Sequence, residues 1–445
     1  MNPDPSVEEP VKLDYAPPTA DVHDPYAISG FLTLPRTTIL VCMGVFASTW
    51  AQTVTVGSVP LKTLLTGELK ISPIKMASFT AIAQFAWYLK PILGLLSDSF
   101  PLMGTRRRHY LMLGGLLSAI MWIVMALVPK VYGLILTAAV VLNVMLVLVS
   151  SAIGGLLVQE GKVLGATGRL SAARAVVMYV AVFVTGLIGG YLARHHLMWT
   201  AIFGAVPSLV MVGVVWFLLN EPRQTVADPT AFQSAWDRVL RALSAKELWA
   251  ASALLFLVHF APGFGTPLYF YMSKTLNISP EVIGYTDAAT GAGGILASVM
   301  YLFICRRFSL RWTYGISILL CAVSALPFLF LKGPTSAIVI NFIYGIGTVL
   351  ADVASLDLAA RATPKGSEAL GYAFMISFWN IGAMVSDMLG SYLFDANHMN
   401  VPFRTLIFLN AGTTAAVLFA VPLLPAWLVK DKEGALQQNP NMQVS

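Results

Sequence analysis

Charge is what this chain has least of. Only 11% of its 445 residues are Asp, Glu, Lys or Arg, against about 25% in soluble domains, and that deficit excludes an ordinary water-soluble globule. Cysteine is scarce as well. Cys42, Cys305 and Cys321 are three scattered thiols, too few and too far apart for a disulfide framework or a cysteine metal cluster. There is no P-loop, no His-x4-Asp acyltransfer pair and no metal-ligand spacing, so no enzyme, cofactor or metal is expected. The formal charge of +6 leaves no basic face over for nucleic acid.

What is present is apolar. Hydrophobic residues make up 57% of the chain and mean hydropathy is +0.73. Apolar runs of the length a helix needs to cross hydrocarbon recur at 37–61, 73–96, 109–128, 131–158, 169–193, 197–219, 249–273, 280–304, 311–331, 334–360, 367–394 and 402–428. They predict an all-α membrane protein of twelve transmembrane helices. With both termini cytoplasmic, the inner loops hold fourteen Lys and Arg and the outer loops eight, the bias expected of inner loops in a multi-pass protein of the cell membrane. Residues 1–36 carry seven Pro and six acidic residues against Lys12 and Arg36, the composition of a disordered tail rather than a transit peptide. Residues 429–445 read as a second polar tail.

The chain also repeats itself. Pro60-Leu-Lys-Thr-Leu-Leu-Thr-Gly-Glu-Leu-Lys-Ile-Ser-Pro73 matches Pro267-Leu-Tyr-Phe-Tyr-Met-Ser-Lys-Thr-Leu-Asn-Ile-Ser-Pro280 at an offset of 207, and Gly189-Gly-Tyr-Leu192 echoes Gly390-Ser-Tyr-Leu393 at an offset of 201. Parallel six-helix halves, 37–219 and 249–428, follow from this, with the site expected at their interface near mid-membrane. The polar segment 220–248 bridges them and includes an amphipathic piece at 231–243 suited to the membrane surface.

The loop between the second and third spans carries the most specific signal: Lys90-Pro-Ile-Leu-Gly-Leu-Leu-Ser-Asp-Ser-Phe-Pro-Leu-Met-Gly-Thr-Arg-Arg-Arg108. This string resembles the hallmark of the folate–biopterin transporter family, a branch of the major facilitator superfamily. Pro267-Leu-Tyr-Phe-Tyr271 with Ile278-Ser-Pro-Glu281, and Leu350-Ala-Asp-Val-Ala-Ser-Leu-Asp-Leu-Ala-Ala-Arg361 with Asn380 and Asp387, resemble it too. The resemblance spans roughly residues 40–425 and implies a folate- or pterin-type small-molecule substrate. In one place the chain departs from it. The acidic residues usual near the cytoplasmic end of the fourth helix are replaced by Ser150-Ser-Ala-Ile-Gly-Gly155.

Ionisable groups inside spans are functional candidates because burying a charge there is costly. Lys90 reads either as an anchor for an anion or as a side chain snorkelling towards the Arg cluster, and Arg174, five residues into its helix, carries the same ambiguity. Asp98 with Arg106, Arg107 and Arg108 reads as a gate, as does Asp357 with Arg361 one turn later. Asp352, deeper and without such a partner, suits a pterin or a proton. Asp287 and Asp387 are further proton candidates, set against plain helix–helix hydrogen bonding. Asn380, His259 and Trp87 are candidate substrate contacts, and His259 precedes a Gly/Pro-broken stretch, Ala261 to Pro267. Gln52, Gln84 and Asn143 are weaker polar candidates.

The expectation is a secondary transporter working by alternating access as a monomer in the bilayer, coupled to protons. The alternatives are a major facilitator carrier of another organic anion or drug-like solute, or a non-transporting receptor.

Overall fold

The computed structural model describes residues 34–99, 102–105, 107–163, 167–219, 221, 240, 243–363 and 368–425, and is almost wholly helical. Among these residues, ten helices are long and apolar enough to cross a membrane. The other two expected spans are interrupted. In place of 37–61 the chain forms α1 (Leu34–Trp50), an irregular stretch, and α2 (Ser58–Gly67). In place of 73–96 it forms α3 (Pro73–Ala83), the single turn α4 (Phe85–Tyr88) and α5 (Lys90–Ser99). The joints of that second segment are Gln84 (φ −91, ψ 11) and Leu89 (φ −98, ψ 15), both untwisted from helical geometry.

The remaining elements of the first half are α6 (Arg108–Leu127), α7 (Tyr132–Val163), α8 (Thr167–Leu192) and α9 (Leu197–Leu218). The second half runs α10 (Lys246–Phe260), α11 (Gly265–Phe270) continuing as a π-turn through Thr275, α12 (Pro280–Arg307), α13 (Leu310–Ala325), α14 (Pro334–Ala362), α15 (Glu368–Phe394) and α16 (Phe403–Ala416). Most of the expected bridge, including most of 231–243, lies outside the described residues.

The sequence repeat is a repeat of structure. Lys70 (φ 49) and Asn277 (φ 50), 207 residues apart, are both left-handed. The amides of Leu69 and Ile71 bond the carbonyls of Leu64 and Leu65, while those of Leu276 and Ile278 bond Tyr271 and Met272, the same turn built twice. The Ile-Ser-Pro string that ends each copy is a helix start, with Pro73 and Pro280 in the first turns of α3 and α12, where a missing N–H costs nothing.

The two sets of helices meet along two seams, α8 on α12 and α3–α5 on α15. The first seam is backbone on backbone. A Cβ at Gly284 would lie 2.6 Å from the Gly186 carbonyl oxygen and 2.7 Å from the Gly190 nitrogen, the close approach that small residues permit in membranes. At the end of the bundle that the Lys and Arg balance assigns to the outside, one buried apolar cluster runs through both halves, joining Leu65 and Phe79 to Phe264 and Phe270. Towards the other end the buried core divides. One cluster around Leu111 and Val149 comes from the first half, and another around Leu254 and Tyr314 comes mainly from the second.

Gly284→Ala should therefore lower stability by about 1–3 kcal/mol through overpacking, read as a lower melting temperature in detergent. Gly315→Ala, where a new Cβ meets nothing within 4 Å, should leave it unchanged or slightly raised. Equal effects at both positions would contradict the packed seam.

Candidate functional site

Two helices break at repeat-related places. The first span is irregular over 51–57 and the seventh over 261–264, and paired interruptions of this kind mark the binding region in repeated transporters. Neighbouring helices brace both breaks. The indole of Trp122 donates to Ala51 O (2.9 Å), and Asn143 Nδ2 donates to Thr53 Oγ1 (3.4 Å). At the second break, Gly263 N donates to Ser386 O (2.8 Å), Asn410 Nδ2 to Pro262 O (3.0 Å), and the Ser386 hydroxyl to Ala261 O.

Beside the first break lies a cleft lined by Ser48, Thr49, Gln52, Trp87, Ser150 and Arg174, among others, with no acidic side chain in its wall among the described residues. Lys90 sits immediately behind that wall. It is 8% exposed, its ammonium donates to Ser150 Oγ (2.9 Å), and it lies 5.5 Å from the centre of the Trp87 ring. The stem therefore turns to the cleft wall and does not snorkel to the Arg loop. Ser150 belongs to the serine stretch that stands where the family resemblance leads one to expect carboxylates. Arg174 lies near enough for its charge to act on Lys90 and on Tyr372 of the opposite half. Among the described residues neither cation forms an ion pair. Trp87 is fixed from two sides, its Nε1 donating to Asn143 Oδ1 (3.0 Å) and its carbonyl accepting from Asn380 Nδ2 (3.3 Å).

Across the interface stands a second cluster. Asp352, which has no Arg one turn along its own helix, is held by two residues of other helices. Its Oδ1 lies 3.1 Å from His259 Nε2, and its Oδ2 accepts from the Tyr179 hydroxyl at 3.2 Å. His259 also places Nδ1 2.8 Å from Leu255 O and stacks on Trp379 with ring centres 4.2 Å apart. The ring thus faces two acceptors at once, the Leu255 carbonyl and the Asp352 carboxylate.

The remaining candidates are placed elsewhere. Asp387 caps α11, accepting from Thr266 N (2.9 Å) and Thr266 Oγ1 (2.7 Å). Asp287 accepts from Ser58 of the other half at 2.9 Å. Asp357 pairs with Arg361 at 3.0 Å and accepts from Tyr301 at 2.9 Å. In the Arg loop, the amides of Arg107 (3.0 Å) and Arg108 (2.9 Å) both donate to Glu221 Oε2, and the Arg108 guanidinium lies over Trp216. Arg106 and the Asp98 side chain lie outside the described residues. Tyr179, Ser58 and Glu221 were not singled out from the sequence. For Tyr179 a signal existed: it precedes Asn380 by the 201-residue offset, and each of the two reaches into the other half.

Known proteins agree with this architecture. A solved D-xylose–proton symporter superposes with a TM-score of 0.69 at 15% identity, covering 88% of this chain and 98% of that one, and a nucleoside transporter with 0.63 at 13% identity, covering 87% and 99%. The fold is that of major facilitator transporters. Among curated relatives, a folate-biopterin transporter of Synechocystis sp. is 27% identical over 83% of this chain and 78% of its own length. Folate transporter 1 of Plasmodium falciparum is 21% identical over 81% and 75%. The BT1 family model matches residues 54–441, and the chain belongs to the BT1 family.

Proposed function

We propose that this chain is a secondary transporter of folate- or pterin-type organic anions, working by alternating access between halves 37–219 and 249–428 and coupled to protons. The cleft carries the reading of the cargo: Arg174 in its wall and Lys90 directly behind it, no acidic lining residue among the described residues, and the flat Trp87 indole beside Lys90. Two neighbouring cations away from water call for a negative partner, and the indole offers a face on which a conjugated ring can stack. The relatives named as folate transporters support the same class.

The Asp352–His259 pair is the candidate seat of the coupled proton. Tyr179 of the first half and His259 of the second both hold the Asp352 carboxylate. If the halves part, Tyr179 withdraws and the balance that keeps the proton changes. Asp357 with Arg361, and the loop of Asp98, Arg106, Arg107 and Arg108, are the candidate gate at the cytoplasmic end.

Reconstituted in proteoliposomes, the protein should accumulate labelled folate or biopterin under an inward proton gradient and leave D-xylose and nucleosides outside. Absence of flux for every pterin, with another organic anion carried, would sink this choice of cargo. Lys90→Met should weaken uptake by about 10–100-fold, mostly through KM, as expected for loss of a charge-assisted contact.

Asp352→Asn should abolish accumulation driven by the pH gradient while sparing gradient-independent exchange of substrate across the membrane. Retained proton-driven accumulation in that variant would place coupling elsewhere.

A further inference from the structure

We infer that Arg194 and Asp395, equivalent residues of the two halves, form a reciprocal latch that closes the transporter at the end assigned to the outside, with α2 as the gate it locks. This rests on the alternating-access reading above but not on the identity of the cargo.

The two residues follow the shorter repeat at its own offset: Gly189-Gly-Tyr-Leu-Ala-Arg194 and Gly390-Ser-Tyr-Leu-Phe-Asp395. Each crosses to the other half and grips the second residue of a helix. The Arg194 guanidinium pairs with Glu281 at the start of α12. Asp395 Oδ2 accepts from Ile74 N, 3.4 Å away, at the start of α3. Ile74 and Glu281 are themselves 207 residues apart, so the two grips are equivalent while their chemistry is opposite. One sets a cation on a carboxylate. The other sets a carboxylate on a bare amide at the positive end of a helix.

Asp395 is built to stay ionised. Burial raises its carboxyl, but hydrogen bonds from Asn397 N, Ser72 and Ile74 N, helped by nearby His398, outweigh burial and hold it below the usual carboxylate range. The α2 helix packs on α8 and α12, the two helices whose ends Arg194 joins to Glu281. Its Thr63 and Thr66 hydroxyls each stand 3.4 Å from the Tyr269 hydroxyl of the other half, Ser58 donates to Asp287 at 2.9 Å, and Lys62 lies 5.6 Å from the Tyr269 ring centre. The longer repeat thus folds against its own copy. The Arg194 side chain is 59% exposed and that of Glu281 20%, so water screens the pair and keeps it weak, as a contact that must open in every cycle requires.

The test uses the full chain with its three native cysteines replaced by alanine and a Thr66→Cys reporter on the buried face of the gate helix itself, labelled by a membrane-impermeant maleimide. Asp395→Asn and Arg194→Gln should each raise the labelling rate about two- to fivefold, the scale that partly exposed charge contacts support. The exchange of charges, Arg194→Glu with Glu281→Arg, should return the rate towards that of the parent, which general destabilisation would not do. Unchanged labelling in both single variants, or faster labelling in the exchanged pair than in Arg194→Gln, would overturn the latch. A reporter that responds in a protein carrying no pterin would keep the latch and remove the cargo. Pterin transport with a reporter insensitive to every variant would do the reverse.

Discussion

A peptide group without a hydrogen-bond partner in hydrocarbon costs several kcal/mol, and that penalty decides where this chain is able to leave the helix. It does so over 51–57 and 261–264, where the first stretch bonds several of its own amides to nearby carbonyls and other helices add support: Trp122 at the Ala51 carbonyl and Asn143 at the Thr53 hydroxyl, Ser386 and Asn410 at backbone groups of the second. Those supports leave Thr49 and Gln52 free to line the cleft and set His259 at the lip of the second break. The polar interior exists because the apolar surroundings permit irregular backbone only where it is fully braced.

The same reasoning sorts the charges. Asp387 is committed to capping α11, Asp287 to Ser58, and Asp357 to Arg361 and Tyr301. Lys90 donates to the neutral Ser150 hydroxyl, Arg174 lines the cleft beside it, and Asp352 meets the His259 ring. On the proposed reading these are the groups that meet a ligand or a proton, whereas the others are bound up in holding helices together.

Much of the fold was legible because it rests on local signals. Hydropathy located the spans, and the Ile-Ser-Pro repeat marked two equivalent helix starts. The broken seventh span was visible as Ala261-Pro-Gly-Phe-Gly-Thr-Pro267, since Pro and Gly announce a break. The break after Trp50 was not, because Ala51 to Gly57 contains no proline and its irregularity depends on Trp122 and Asn143, distant in sequence. The site was legible residue by residue but not as pairs. Lys90, Asp352 and His259 stood out as ionisable groups in apolar runs. That Asp352 meets His259 and Tyr179, or that Lys90 meets Ser150, is a matter of helix rotation and packing, which spacing along one helix does not encode. Repeat offsets were the underused signal, since they relate Tyr179 to Asn380 and Arg194 to Asp395.

The glycine seam between α8 and α12 bears on how far such a molecule can move. Where Gly186, Gly190 and Gly284 meet, no side chain is present to change rotamer and absorb a shift. Two backbones in direct contact have no deformable layer between them, so on the alternating-access reading proposed above the seam would serve as a fulcrum. A small rotation there would become a displacement in fixed proportion at each end of the bundle, tying the opening of one mouth to the closing of the other. Bulk introduced at the seam would lengthen the radius of that roll without touching the cleft.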